Sequence, residues 1–323
     1  METRGLGQES QGDRAFTLDK FRQLLDLVAE DRHRAMMTFQ FHLIGRMDDM
    51  AHMNKKYRQA SADFSGYLCT KLCWLNNVFD ESNSPWQILL GSLDTKCCVL
   101  LNLAIFLEKW TQDGDGGISQ WLFVDGRTDD SMDVDVQNKE ANKGKDNYAN
   151  ALTAAIKNHL FKPFGSRQIS SKLGSHSIRK MGTTFARLQG VSRDNIDYRA
   201  RWKSSGRQQD AYTDIQLNWP DACCANKLSV GGSCQYIGRD VAGLTDEWLC
   251  ANVTPNICRV FDAKVAAILA LPLLWAAYDL AWSERLDPVM KHSIISKFIR
   301  LQRDIPDGVN PVRRVEILAM ECK

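Results

Sequence analysis

Fourteen uninterrupted apolar residues, Val265–Tyr278, with Pro272 inside the run and Asp279 directly after it, constrain this chain more than any other stretch. A bilayer span takes roughly 20 such residues, so the run is too short to cross a membrane. It reads as a helix buried in a protein core. With 323 residues the chain is long enough to enclose such a helix, as one large domain or two smaller ones. Its 44% hydrophobic and 25% charged content are those of a globular protein, not a disordered one.

The other punctuation is helical with a small β component. Residues 1–14, METRGLGQESQGDR, are polar, lack an apolar h-region and read as a disordered leader without a secretory signal. Thr17 suits the N-cap of a helix carrying Leu18, Phe21, Leu24, Leu25 and Val28 on one stripe. A second helix is expected over 32–41 and a buried one over 98–110. YLCTKLCWL and PWQILLG, separated by a polar turn at 76–84, read as strands of an antiparallel sheet near 67–91. Residues 113–147, rich in Gly, Asp, Asn and Lys, read as a loop or insertion with a short strand at 121–124. Helix returns at 148–160. LGSHSIRKMGTTFARLQG predicts a helix with Ser175 as N-cap, Ile178, Met181, Phe185 and Leu188 on its apolar side, and Gly190 as terminator. A short helix follows at 192–200. The expected class is α+β, mainly α-helical, with a domain over 15–220 and a helical extension over 221–323.

Ten cysteines include two adjacent pairs, Cys97-Cys98 and Cys223-Cys224. Adjacent cysteines fit neither a tetrahedral zinc site nor an easy disulfide framework. Reduced thiols in an intracellular protein are expected, with no metal and no cofactor.

The net charge of +2 is uninformative, but its distribution is not. Between Lys157 and Arg207 stand twelve Lys/Arg against two acids, whereas 113–135 holds seven Asp and one Arg. Such a basic block suits a surface that meets a phosphate backbone, and equally a solvated helix face.

Within the block, His176 and Arg179 lie three apart and so share a face near the start of a helix, where free N–H groups and the dipole favour an anion. Arg179 can hold two phosphate oxygens through its planar fork. His176 can donate a hydrogen bond or move a proton. Trp202 follows 23 residues after Arg179, and Tyr212 ten after that, beyond a polar loop that could carry the phenol to the same pocket. Taken singly, His176 also reads as a structural histidine, Arg46 as an ion-pair partner of Asp48 or Asp49, and Trp202 as core.

His-x-x-Arg, then Trp, then Tyr at this spacing resembles the signature of the tyrosine recombinases, phage-integrase-like enzymes. Gly45-Arg46-Met47-Asp48-Asp49 fits the family's earlier arginine. LGSHSIRKMGTTFARLQGVSRDNI, PWQILLGSLDTKCCVLLNLAIFLEKW and the VGG-containing tail resemble the recombinases of Crypton-type eukaryotic transposable elements. The resemblance implies the DNA breaking-rejoining catalytic fold and strand exchange on double-stranded DNA through a 3′-phosphotyrosine, with neither metal nor ATP. It assigns Arg46 and Arg179 to the non-bridging oxygens, His176 to proton transfer, Trp202 to packing and N–H donation, and Tyr212 to nucleophilic attack. It also implies a nuclear protein, working as a synaptic homo-tetramer, not bound to membrane. Lys172, Lys180, Arg201, Lys203 and Arg207 are the expected DNA-backbone contacts.

The family's hairpin-tip lysine is the departure: Asn76-Asn77 occupies that turn, and Lys71 on the strand before it is the substitute. The residues before Arg46 are also fewer than the helical domain that the family usually places there. The alternative expectation is therefore a catalytically weak or inactive transposon-derived DNA-binding protein. A helical scaffold without nucleic acid is the third.

Overall fold

The computed structural model describes residues 15–72, 84–110, 120–124, 134–158, 173–202, 219–301 and 309–317. The described residues are mainly helical, with two small antiparallel sheets. Helix α1 (Leu18–Leu27) starts where expected, the Thr17 hydroxyl accepting from the Lys20 N–H, and buries Phe21, Leu24 and Leu25. α2 (Asp31–His42) is buried along nearly its whole length and packs between α4 (Val99–Trp110) and α6 (Ser175–Leu188). The apolar run becomes α10 (Ala263–Tyr278), with Pro272 accommodated inside it, and lies against α4 and α9 (Asp246–Asn252). No described helix is long and apolar enough to cross a membrane.

The first sheet has the order β1 (Arg58–Ala60), β2 (Leu68–Thr70), β3 (Gln87–Leu89), all antiparallel. Leu90 alone separates β3 from β4 (Gly91–Ser92), which opens a second sheet with β5 (Ser233–Gly238) and β6 (Val312–Glu316). The sheet expected near 67–91 is thus present, joined by β1. The second sheet was not foreseen, because its strands come from remote parts of the chain and one is two residues long. The described residues of 221–323 include strands as well as helices: β5 and β6 join β4, and α10 packs into the common core.

Four further expectations are corrected. Within the span 113–147, expected as a loop or insertion, residues from Val134 onward belong to α5 (Val134–Asn158). Its composition hides a single buried stripe, Ala141, Tyr148 and Leu152, and packing of that stripe outweighs weak propensity. The strand at 121–124 is one bridge, Asn54 to Trp121, with Leu122 and Phe123 buried as plugs. The N-cap of α6 is Gly174, not Ser175; Ser177 at N3 accepts from the Gly174 N–H at 3.0 Å. Leu188, expected on the apolar side, is 79% exposed. Gly182 sets how closely α6 meets α2, since an added Cβ there would stand 2.7 Å from the Phe41 carbonyl oxygen.

Helix α7 (Arg193–Ala200), capped by the Ser192 hydroxyl, is fastened from inside. Arg199, one of the basic block, is fully buried. Its Nε donates to the His42 carbonyl at 2.9 Å and its Nη2 to that of Ile88 at 2.8 Å, while Nη1 pairs with Asp221 on α8 (Trp219–Leu228). Asp221 also accepts from the Ile88 N–H, and the Arg199 carbonyl accepts from Gln87 Nε2 at 2.7 Å. One guanidinium therefore joins α2, α7, α8 and β3. Breaking a buried pair by removing one partner strands the other charge, at about 3–5 kcal/mol. Arg199→Met is accordingly expected to lose about that much in urea unfolding, and Arg199→Met/Asp221→Leu to recover part of it.

Candidate functional site

The chain reverses after α2 through Ile44, whose φ of +47° is unusual for a β-branched residue. Gly45 then donates its N–H to the Gln40 carbonyl at 3.0 Å, and Arg46 becomes the N-cap of the short helix α3 (Met47–Ala51). The Asp49 carboxylate accepts the Arg46 N–H at 2.7 Å, so the backbone carrying Arg46 is held by a side chain three residues on. Arg46 itself is half-buried. Of the two acids that could have paired with its side chain, Asp48 pairs with Lys145 at 2.8 Å and Asp49 with Arg201 at 2.8 Å.

Arg179 reaches the same place from α6. The start of that helix is pinned by a buried polar chain in which Tyr148 Oη donates to Gln40 Oε1 at 2.8 Å, and Gln40 Nε2 to the Ser175 carbonyl at 2.9 Å. The Arg179 Nη2 donates to the Ala200 carbonyl at 3.2 Å, and its guanidinium lies 5.4 Å from the centroid of the Trp202 ring. Burial pushes its pKa down to about 10; Asp49 opposes the shift, and Arg201 and Arg46 add to it. Arg179 stays protonated at neutral pH, and the interaction reports that three guanidiniums share one neighbourhood.

Arg201 is the third. It ends α7 in the left-handed region, φ +55°, with its side chain 5% exposed and one Nη on Asp49. Burial lowers its pKa, Asp49 opposing and Arg199 and Arg46 reinforcing. Its Nε and Nη1 are buried without a hydrogen-bond partner. Trp202, 41% exposed, follows with its backbone N–H on the Asp197 carbonyl.

Arg46, Arg179 and Trp202 are thus brought together from distant segments. His176 is exposed in the first turn of α6, three residues before Arg179. Lys71 follows β2, its Nζ 4.9 Å from the centroid of the Trp86 ring. Arg201, expected as a DNA-backbone contact, has a nearly buried side chain paired with Asp49, and Arg199, also of the basic block, is fully buried. Lys180 remains on α6, partly exposed. Tyr212, Lys172, Lys203, Arg207 and Asn76 lie outside the described residues. Reasoning from sequence weighed Asp49 only as an ion-pair partner of Arg46 and missed its pairing with Arg201, although a carboxylate three residues after an N-cap is a capping signal. Among the described residues no cluster of three His, Cys, Asp or Glu could hold a metal.

Three guanidiniums and one carboxylate leave a local excess of two positive charges around partly desolvated donors. Such a site can bind a phosphate group and stabilise negative charge developing on it.

No protein-family model matches the sequence, and no curated protein matches it. Among solved structures the chain is similar to a chain of the FLP recombinase–Holliday junction complex, with 12% identity and a TM-score of 0.46, covering 79% of this chain and 62% of that one. The chain thus spans less than two thirds of that protein's length. A likeness this distant leaves the site to be judged on its own geometry.

Asp49→Ala, which strands the buried Arg201, is expected to cost about 3–5 kcal/mol in urea unfolding. Asp48→Ala, which breaks only a pair reaching solvent, is expected to change stability by less than about 1 kcal/mol.

Proposed function

We propose that this protein is a tyrosine recombinase that cleaves and rejoins duplex DNA through a 3′-phosphotyrosine on Tyr212. The observation that supports the reading is that the Arg179 guanidinium lies over the Trp202 ring and feels the charge of Arg46, the three residues that the sequence resemblance singled out. His176, exposed three residues before Arg179 on the same helix, is the proposed proton-transfer group.

In this reading the Tyr212 phenol gives its proton to His176 as its oxygen attacks the scissile phosphorus, the bond to the 5′-oxygen breaks, and that oxygen takes a proton from Lys71 and leaves as a hydroxyl. Rejoining reverses the step with another 5′-hydroxyl. A free phenol titrates near pH 10, so the pocket's positive charge has to favour the phenolate as well as the phosphorane-like transition state. Each well-placed donor to such an oxyanion is worth roughly 10²–10³ in rate. Lys71 is the candidate acid for the leaving 5′-oxygen. The assembly is a synaptic tetramer on DNA, and the protein is nuclear, derived from a Crypton-type element; these follow from the sequence resemblance.

One observation favours a second reading. Lys71 lies over the Trp86 ring, and the sequence has Asn76 where the family's hairpin lysine is expected. Without that proton donor the protein would bind DNA through the same pocket and cut it slowly or not at all.

A nicked suicide DNA substrate separates the two. Wild type is expected to form a covalent adduct that Tyr212→Phe does not form, and Arg46→Ala and Arg179→Ala each to slow adduct formation by roughly 10²-fold or more. An adduct that persists in Tyr212→Phe removes that residue from the mechanism. Filter binding that weakens steeply with salt but gives no adduct selects the second reading, and binding indifferent to salt defeats both.

A further inference from the structure

Arg201 is the one buried cation of the pocket with donors left over. It sits in a left-handed backbone conformation that side-chain-bearing residues adopt at a cost, and it is tied by one nitrogen to Asp49. A buried guanidinium normally uses its donors fully, as Arg199 does two residues earlier on two carbonyls and a carboxylate. The Arg201 Nε and Nη1 find no hydrogen-bond partner, although Arg46 and Arg179 are near enough to act on the same charge. Buried donors without acceptors, among like charges, are relieved by an anion.

We infer that Arg201 is a third phosphate ligand of this pocket, held in place by Asp49, and that the pocket is matched in charge to a doubly negative transition state. The inference rests on the proposed cleavage reaction. A phosphodiester carries one negative charge in the ground state. Attack by a phenolate brings a second, and both reside on the five-coordinate phosphorus until the 5′-oxygen leaves and is protonated. Arg46, Arg179 and Arg201 less Asp49 present two positive charges, so one of them is unmatched in the ground state and is met only as the bond forms. Interactions that strengthen in the transition state raise the rate of the chemical step.

Asp49 is then a positioning residue. It accepts from the Arg46 backbone and from the Arg201 side chain, fixing the start of α3 against the end of α7.

The test uses the full chain in two arms. In the first, orthovanadate, which adopts five-coordinate geometry, is titrated calorimetrically into wild type, Arg201→Lys and Arg201→Gln. Lysine keeps the pair with Asp49 but lacks the planar fork, so folding is retained while affinity falls by about tenfold; glutamine removes the charge as well and falls further. In the second arm, adduct formation is timed on nicked DNA with an ordinary phosphate or a neutral methylphosphonate at the scissile position. Arg201→Gln is expected to be slowed about 10²-fold on phosphate and to recover at least tenfold relative to wild type on the methylphosphonate, which has one negative charge fewer. Equal slowing on both substrates means a structural role and overturns the inference. Vanadate affinity unchanged in Arg201→Lys overturns it too, even if Arg201→Gln fails to fold. Wild type that binds vanadate but forms no adduct overturns the cleavage reading, and the titration then still decides whether Arg201 is an anion ligand.

Discussion

The Arg199–Asp221 ion pair is the contact on which the arrangement of this protein depends. A guanidinium with no exposed surface is tolerable only with its charge matched and its donors met, and Arg199 meets both needs with groups from three other elements. Burial pushes the Asp221 carboxyl upward while Arg199 and the Ile88 N–H hold it down, so neither partner is comfortable alone. This network sets the end of α7 against α2 and β3. Arg201 and Trp202 follow directly, so a contact that touches no ligand determines where the pocket's last two residues stand.

The pocket sits at two backbone positions of the same unusual kind. Ile44 and Arg201 are the non-glycine residues with positive φ among the described residues, and they flank Arg46 and Trp202. Such conformations cost about 1–2 kcal/mol each and persist where surrounding packing over-determines them. Ile44 is fully buried beside α6, whose Gly182 leaves room for the Phe41 carbonyl, and Arg201 is moored to Asp49. Strain is thereby concentrated where α2 meets α3 and where α7 ends, the two junctions that aim the guanidiniums.

The same pair of junctions explains the charge count. Twelve cations in one segment look like a DNA-facing surface, yet Arg199 and Arg201 are interior. Part of the basic block serves to hold the pocket together and part to charge it. A linear sequence does not separate these uses, since both call for arginine.

What could be read from the residues alone was local. Thr17 and Ser192 announce helix starts, the apolar run at 265–278 announces a core helix, and His176, Arg179 and Trp202 stand at a spacing that has meaning without coordinates. The helix signals among them depend on neighbours within one or two turns. Tertiary structure decided the rest. The pairing of β4 with β5, and of Asp49 with Arg201, joins residues more than a hundred positions apart, which no periodicity encodes. The helix over 134–147 exists because Ala141 and Tyr148 are buried, not because its Asn, Asp and Gly favour it. Long-range burial supplies the free energy in each case, and burial is a property of the folded whole.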